Sequence, residues 1–509
     1  MSTRNSLDGG QPDDLEAEPA LKIIQPHMVP DLFQELKRDV PECVDDECLI
    51  DDLVTEIEYV PEELEAAVVE VCQTYDATIL EEGQESVISE YAAHLIARDT
   101  LDFNFYICDI GVILRLYSAW RLALPRVRPF YAVKCMPDKG LLDTLCKLGA
   151  GFDCATTHEV ELVKSVGADM NRIIFAHPQK MPREIVRAGE LQAHLTTFDT
   201  VAEVHKIAKH NPAAKLVLRI RADDPHAKMC FGMKYGAEPD EWAVLCDAAR
   251  ASKLPVVGVS FHVGSASSGG QAYRFAIERA RQAFDVGTAH GHPMKLLDIG
   301  GGFQARFTEA GEVDMTFAAE IRDALEEFFP VASGVKVIAE PGRFFAEAPF
   351  TIATNVYGKR RRQGADGRAV IDYWISDGIY GSMNCKLYDA FEARPQPIKD
   401  PLAGDVIVSP STGHMKDAMP MNKRELFEST LFGPTCDGAD KVVEGMSLPE
   451  MNVGDWVLFF KFGAYTLAGA VAFNGFAVDQ DNMKVYYVFS KIEKPPMEAE
   501  MLDPVEEEG

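Results

Sequence analysis

The 509 residues carry 80 acidic and 50 basic side chains, a formal charge of −30, with 47% hydrophobic and 26% charged residues. That hydrophobic fraction supports a real core and excludes a wholly disordered or collagen-like chain; the length suggests two or three domains. The acidic excess argues against the basic footprint of a nucleic-acid binder and against docking on an anionic membrane, while suiting a cationic partner or substrate.

The start, Met1 to Gly10, is polar and lacks the apolar segment of a secretory signal. Eleven cysteines, none in a CxxC pair, favour reduced thiols and a cytoplasmic location. From Asp39 to Ala97 there is no Lys or Arg but there are 18 Asp and Glu. Leu64, Ala67, Val68 and Val71 recur there at helical spacing. This predicts an acidic extension over residues 1–98, partly disordered and partly helical, lying as a solvated surface layer.

Strand-like runs follow at Pro129–Cys135, Gly151–Ala155, Arg172–Ala176, His194–Phe198, Lys215–Ile220, Val256–Gly264, Met294–Gly302 and Val335–Gly342. Helical periodicity fills gaps such as Ala237–Lys253, Gln271–Ala289 and Thr316–Phe329. The first five strands start 21 or 22 residues apart, and the later gaps are 41, 38 and 41. Eight such alternations predict an α/β domain, a TIM-type (β/α)8 barrel over residues 119–345, in preference to a doubly wound sheet. Beyond it, Phe350–Arg361, Val370–Ser376, Trp456–Thr466 and Lys484–Ser490 predict an all-β C-terminal domain, a sandwich or barrel, over 346–494. The glycine-rich run Phe462–Val478 reads as strands rather than a membrane span, and 495–509 as an acidic, disordered tail.

Active sites of such barrels lie at the C-terminal ends of the strands, and charged residues gather there. Lys134 closes the first strand; alone, it reads as a lysine snorkelling to the surface. Asp153, Arg219, His262, Asp298, Glu340 and Arg343 hold the corresponding places on later strands, too many to be core packing. Gly300, Gly301 and Gly302, with Arg343 and Ser265, have the chemistry of a phosphate cradle. A lysine whose ammonium is lowered by burial can form a Schiff base. Together with a carboxylate these imply pyridoxal 5′-phosphate, Glu340 keeping its ring nitrogen protonated and His262 stacking on its face.

The segments PFYAVKC, GFDCA, SFHVGS, LDIGGGF, AEPGRF, YGSMNCKLYD, FGPTCDGAD, VGDWVLF and GAYT resemble the eukaryotic ornithine decarboxylases, from about Asp102 to Ser490. The resemblance implies the alanine-racemase-like barrel, a segment 99–118 whose strand Phe103–Asp109 crosses to the β domain, and a head-to-tail homodimer sharing its sites. It implies Schiff-base attachment at Lys134. Glu340 takes the ring nitrogen; Arg343, Gly300–Gly302, Ser265 and, from the partner's β domain, Tyr465 take the phosphate. Asp153, Glu159, Arg219 and His262 are implied to line the cofactor. Tyr388, Asp389 and Asp437 would receive the distal ammonium of L-ornithine, and Phe473 would form the pocket edge. Cys436 would protonate the carbanion, it and Asp437 acting across the dimer. Lys234 and Asp440 would pair between subunits, and an antizyme-type regulator is a further possible partner.

The chain departs from this family at His177, Ala266, Met136-Pro137 and Ser376, and the stretch 394–431 is longer than usual. Decarboxylation of lysine, arginine or diaminopimelate, or a non-catalytic role like that of the antizyme inhibitors, are the alternatives. Cys154 and Cys385 read as packed thiols, His205 and His210 as helix-surface residues, and Lys359–Arg362 as a solvated hairpin rather than a nuclear signal. Residues 1–98 carry a net −20 and the tail from Pro495 −6, so the remainder carries only −4. The acidity therefore belongs to the ends, and selection of a cationic substrate rests on Asp389 and Asp437.

Overall fold

The computed structural model describes residues 61–81, 83–222, 234–264, 269–308, 311–388, 392–398, 425–476 and 483–491. Ser265, Ala266, Asp389, residues 399–424 and both chain ends lie outside the described residues.

The helix Pro61–Thr74 leads through strand β1 (Thr78–Leu80) and the helix Glu85–Asp99 to β2 (Phe105–Asp109). Eight parallel strands then close a barrel: β3 (Val127–Ala132), β4 (Gly151–Cys154), β5 (Ile173–Phe175), β6 (Leu195–Phe198), β7 (Lys215–Arg219), β8 (Val256–Ser260), β9 (Leu296–Asp298) and β10 (Lys336–Ala339). Each of the eight predicted segments supplies one of these strands. Their two-residue period divides the core. Phe130, Ile174, Val217, Leu296 and Ile338 meet in one cluster, while Tyr131, Ile173, Leu216, Leu297 and Val337 pack in a larger one. Helices such as Gly270–Ala289 and Ala318–Phe328 add Tyr273, Ile277, Ala280, Ile321 and Leu325 to that larger cluster.

The second region contains β11 (Phe350–Gln363), β12 (Ala369–Ile375), β13 (Gln396–Ile398), β14 (Leu426–Phe432), β15 (Lys441–Pro449), β16 (Trp456–Phe459) and β17 (Lys484–Ser490). Its sheet runs β1-β17-β2-β11-β12-β14-β15, with β16 pairing β11 and β13. β2 thus joins the sheet before the chain enters the barrel, antiparallel to β11 and parallel to β17.

Two expectations change. From residue 61 onward the extension is part of the fold, not a solvated layer: Val68, Val71, Cys72 and Ile79 are at most 1% exposed. Tyr91, Leu95 and Ile96 cluster with Phe105, Ile107, Trp456 and Val488, and β1 pairs in parallel with β17. In the helix Pro61–Thr74, Val68, Val71 and Cys72 form a buried stripe while Glu70 is exposed, as an amphipathic helix arranges them. The run after Phe459 is not strand over its described part. Lys461, Tyr465 and Asn474 adopt positive φ, and 3-10 turns form at Leu467–Gly469 and Phe473–Gly475. Such left-handed residues interrupt the extended backbone that a ladder needs. Among the described residues no helix is long and apolar enough to cross a membrane.

Candidate active site

The strand ends converge on a cavity of about 210 Å³, lined in part by Lys134, Arg219, His262, Gly302, Glu340, Arg343 and Tyr465. Ala132 of β3 lies in register with Asp153 of β4. The chain then tightens into a 3-10 turn, and Lys134 Nζ comes 2.8 Å from Asp153 Oδ2. Asp153 is fully buried, whereas the Lys134 side chain is 42% exposed. Burial acts to lower the Lys134 ammonium, but Asp153, Glu340 and Tyr465 outweigh it and hold it above the ordinary lysine value. The expected lowering by burial is therefore reversed, because a paired carboxylate favours the charged form.

Glu340 follows β10 directly. Burial, then the charges of Asp153 and Asp298, push its carboxyl well above the ordinary range. Asp298 is raised by the same burial to about 6. Glu340 Oε1, Asp298 Oδ2 and Asp153 Oδ1 are buried without a hydrogen-bond partner. Such orphaned acceptors are costly unless a bound group satisfies them. His262 is held uncharged, first by burial and then by Arg219 and Lys134. Its Nδ1 accepts the Gly264 N–H at 3.0 Å, so the neutral ring carries its proton on Nε2.

Gly300 turns the chain after β9 at φ 66, with its N–H donated to Asp298 Oδ1 at 2.9 Å. A Cβ there would lie 2.0 Å from the Phe261 carbonyl oxygen, and one on Gly302, at φ 107, would lie 2.5 Å from that of Gly264. The loop tolerates no side chain at these two positions and brings Gly302 backbone to the cavity wall. Arg343 pairs with Glu347 at 2.6 Å, and its guanidinium lies 5.4 Å from the Tyr465 ring centroid. These groups fit a phosphate bearing a ring with one basic nitrogen: an arginine and close backbone for the anion, buried acceptors for the nitrogen, and a lysine for covalent attachment.

Tyr465 is supplied by the same chain, contrary to the expected reach from a partner. The turn that carries it is fixed by backbone bonds from Phe462 to Phe350, Gly463 to Glu347 and Tyr465 to Cys135. Glu159 is not among the cavity-lining groups; its Oε2 accepts the Ala155 N–H at 2.5 Å and so closes the turn after β4. Cys154 and Cys385 are buried. His205 and His210 lie on the helix Val201–His210. Lys359 and Arg361 pair with Glu450, and Arg360 and Arg362 with the buried Asp372, as a hairpin surface would.

Of the expected substrate groups, Asp437 and Phe473 come together in a second cluster, with Tyr380 and next to Cys436. Tyr380 donates its hydroxyl to Asp437 Oδ2, the Ala439 N–H reaches Asp437 Oδ1 at 3.0 Å, and Tyr380 stacks on Phe473 at 4.3 Å. These donors hold the Asp437 carboxyl below its ordinary range. Cys436 is exposed, its N–H donated to Asn474 Oδ1 at 3.3 Å, and Phe473 is 40% exposed. None of Cys436, Asp437 and Phe473 is among the groups lining the Lys134 cavity. Tyr388 ends the short helix Cys385–Tyr388. Asp440 is buried in its own chain, accepting from Ile379 N–H and from the Thr435 N–H and hydroxyl, while Lys234 lies over the Tyr235 ring. The cavity-wall residues Tyr235 and Pro178, among others, are not evident from the sequence, and His177 is evident there only as a departure from the family.

Residues 110–347 match the family model "Pyridoxal-dependent decarboxylase, pyridoxal binding domain". The ornithine decarboxylase of Rattus norvegicus is 38% identical over 436 residues, covering 82% of this chain and 88% of the relative. The chloroplastic ornithine decarboxylase of Nicotiana glauca is 41% identical over 376 residues, covering 73% and 81%. Among solved structures, the Paramecium bursaria Chlorella virus arginine decarboxylase bound to agmatine superposes with a TM-score of 0.70 at 36% identity, covering 78% of this chain and 99% of that one. The lysine/ornithine decarboxylase of Vibrio vulnificus, complexed with cadaverine, gives 0.65 at 31% identity, covering 79% and 97%. Identity at this level over most of both chains, with a barrel site fitted to pyridoxal 5′-phosphate, is shared ancestry rather than likeness of fold alone: the chain belongs to the pyridoxal-dependent decarboxylase family, in its eukaryotic ornithine decarboxylase branch.

Proposed function

We propose that this protein decarboxylates L-ornithine to putrescine and CO2, the first step of polyamine biosynthesis, as a homodimer whose sites are shared. The observation that carries the chemistry is that Lys134, paired with buried Asp153 at 2.8 Å, lines one cavity with Glu340. Ornithine as substrate rests on the curated relatives, which are named for it.

When bound, pyridoxal 5′-phosphate supplies the electron sink that takes the pair released as the carboxylate leaves. Lys134 tethers it through Nζ. That requires the ammonium to lose its proton, and Asp153 is the acceptor already in contact. Glu340 would keep the ring nitrogen protonated: its Oε1 is buried without a partner, and a cation beside it would offset the burial that raises its carboxyl. His262 offers an uncharged face. Arg343, the Gly300–Gly302 loop, Tyr465 and Ser265 would hold the phosphate, Asp153 and Arg219 would complete the surroundings, and Glu159 would act behind them by fixing the turn after β4.

Asp437, with Tyr388 and Asp389, receives the distal ammonium, and Phe473 walls the pocket. Cys436 delivers a proton to Cα. Cys436, Asp437 and Phe473 are not among the groups lining the Lys134 cavity of their own chain, which supports their acting on the partner's cavity. The test is CO2 release by the purified protein supplied with cofactor. A kcat/KM for L-ornithine above those for lysine, arginine and diaminopimelate is expected. No release from any of them overturns the reading, and a higher value for another substrate replaces ornithine with it.

A further inference from the structure

We propose that His177 is a further binding residue of this cavity, a fixed Nε2–H donor to an anionic oxygen on the wall opposite the phosphate grip. The inference rests on the cofactor and amino-acid reading above. His177 follows β5 and lines the cavity with Arg219 and Tyr235. In the closed strand order β10-β3-β4-β5-β6-β7-β8-β9, β5 lies across the barrel from β9, which carries Gly300–Gly302.

Three contacts fix the residue. The Gln179 N–H donates to His177 Nδ1 at 3.1 Å. The buried Lys180 ammonium donates to the His177 carbonyl at 2.8 Å. The ring meets Tyr235 edge-on, with centroids 5.9 Å apart and planes at 72°. A backbone N–H cannot become an acceptor, so Nδ1 must accept and the neutral ring must carry its proton on Nε2. His177 is held uncharged by burial, then by Lys180 and Lys234.

The wall is itself braced. Lys180 pairs with buried Glu203 at 3.0 Å and donates to the Thr197 carbonyl at 2.8 Å. Asp199 accepts from Gln179 Nε2 at 2.7 Å and from the Gly236 N–H at 3.1 Å, which ties the Tyr235 loop to the end of β6. The charges acting on His177 include those of Lys180, Lys234 and Lys134, opposed by Glu203 and Glu184. Arg219 adds a guanidinium to the same lining. A neutral donor among cations suits an anionic oxygen. Away from the phosphate, two ligands offer one: the cofactor's ring oxygen and the carboxylate of the amino acid.

Full-length His177→Phe, which keeps an aromatic edge on Tyr235 but deletes the donor, distinguishes these sources. Loss of one hydrogen bond to a charged oxygen is worth about tenfold or more in binding. A tenfold rise in the pyridoxal 5′-phosphate Kd with unchanged ornithine KM assigns the contact to the cofactor; the reverse assigns it to the substrate. His177→Asn, which retains a side-chain N–H donor, should restore either constant to within about threefold. Both constants unchanged in His177→Phe, or His177→Asn as impaired as His177→Phe, overturns the proposal. His177→Leu replaces the phenylalanine if that variant does not fold. The cofactor titration needs no turnover, so it separates failure of this inference from failure of the decarboxylase reading.

Discussion

Around Lys134 the carboxyl groups are buried, one of them paired with the lysine, whereas around Cys436 the groups are exposed or partly exposed and held by few contacts. Asp153 is fully buried, and Glu340 and Asp298 are raised by burial. Asp437 lies at the surface with two donors on its carboxylate, beside exposed Cys436 and half-exposed Phe473. A low-dielectric site can hold a lysine, a carboxyl and a phosphate grip in advance. An exposed cysteine and carboxylate gain no such leverage until another surface covers them. The difference supports division of the chemistry between two copies of the chain, with the barrel supplying the cofactor site and the β region supplying the substrate end.

The strongest way to break that comparison is to disable each half separately. Lys134→Ala should lose more than about 10³-fold in kcat, and Cys436→Ala about 10²- to 10⁴-fold with aldehyde side product, measured by CO2 release and product analysis. Mixed after subunit exchange, the two inactive proteins should recover about a quarter of wild-type activity, because half of the dimers carry one intact site of two. No recovery, with exchange demonstrated by differently tagged subunits, would place both residues in one chain's site.

Much of the barrel half was legible in the sequence because strand ends are regular. Eight runs at regular spacing place Lys134, Asp153, Arg219, His262 and Glu340 on one rim. The sign of the Lys134 shift needed one further fact, the register of Ala132 with Asp153, which sets a carboxylate beside the lysine. Burial alone predicts the opposite sign. Tyr465 was legible as a cavity residue but not as to which chain supplies it, because that depends on a turn held by long-range backbone bonds such as Tyr465 N–H to the Cys135 carbonyl. The packing of the helices Pro61–Thr74 and Glu85–Asp99 is hidden in the sequence by their charge; their apolar stripes decide where they pack.

The contrast in burial is between two sites rather than two domains, and Asp377 sharpens it. It lies close in sequence to Tyr380 but is buried, accepting from Asn104 Nδ2 at 2.9 Å and from the Gly378 and Ser382 N–H groups. Burial raises its carboxyl from 3.8 to about 6 despite those donors. A raised carboxyl binds its proton more tightly in the folded state. Its stabilising contribution is therefore present below the unfolded value and is lost as pH rises through about 6. Asp377→Asn, with Asn104 turning its own oxygen to the new amide, removes that loss. Relative to wild type, the variant should gain on the order of 1–3 kcal/mol between acid and neutral pH, read by denaturant unfolding at both. A pH-independent difference would show that Asp377 is not a buried acid in solution.

The smallest expected effect tests whether Asp437 is oriented before a partner covers it. Tyr380→Phe deletes the hydroxyl that donates to Asp437 Oδ2 but leaves the ring that stacks on Phe473 at 4.3 Å and 23°. The Ala439 N–H remains on Oδ1. Asp437 then keeps its charge but loses one of the two contacts that set its direction. A hydrogen bond at an accessible carboxylate contributes roughly 0.5–1.5 kcal/mol, so KM for ornithine should rise about 3- to 10-fold with kcat little changed. Equal losses in kcat and kcat/KM would mean that Tyr380 acts on the transition state. No change in either would mean that this bond does not orient the carboxylate for substrate, and that another surface covering it does.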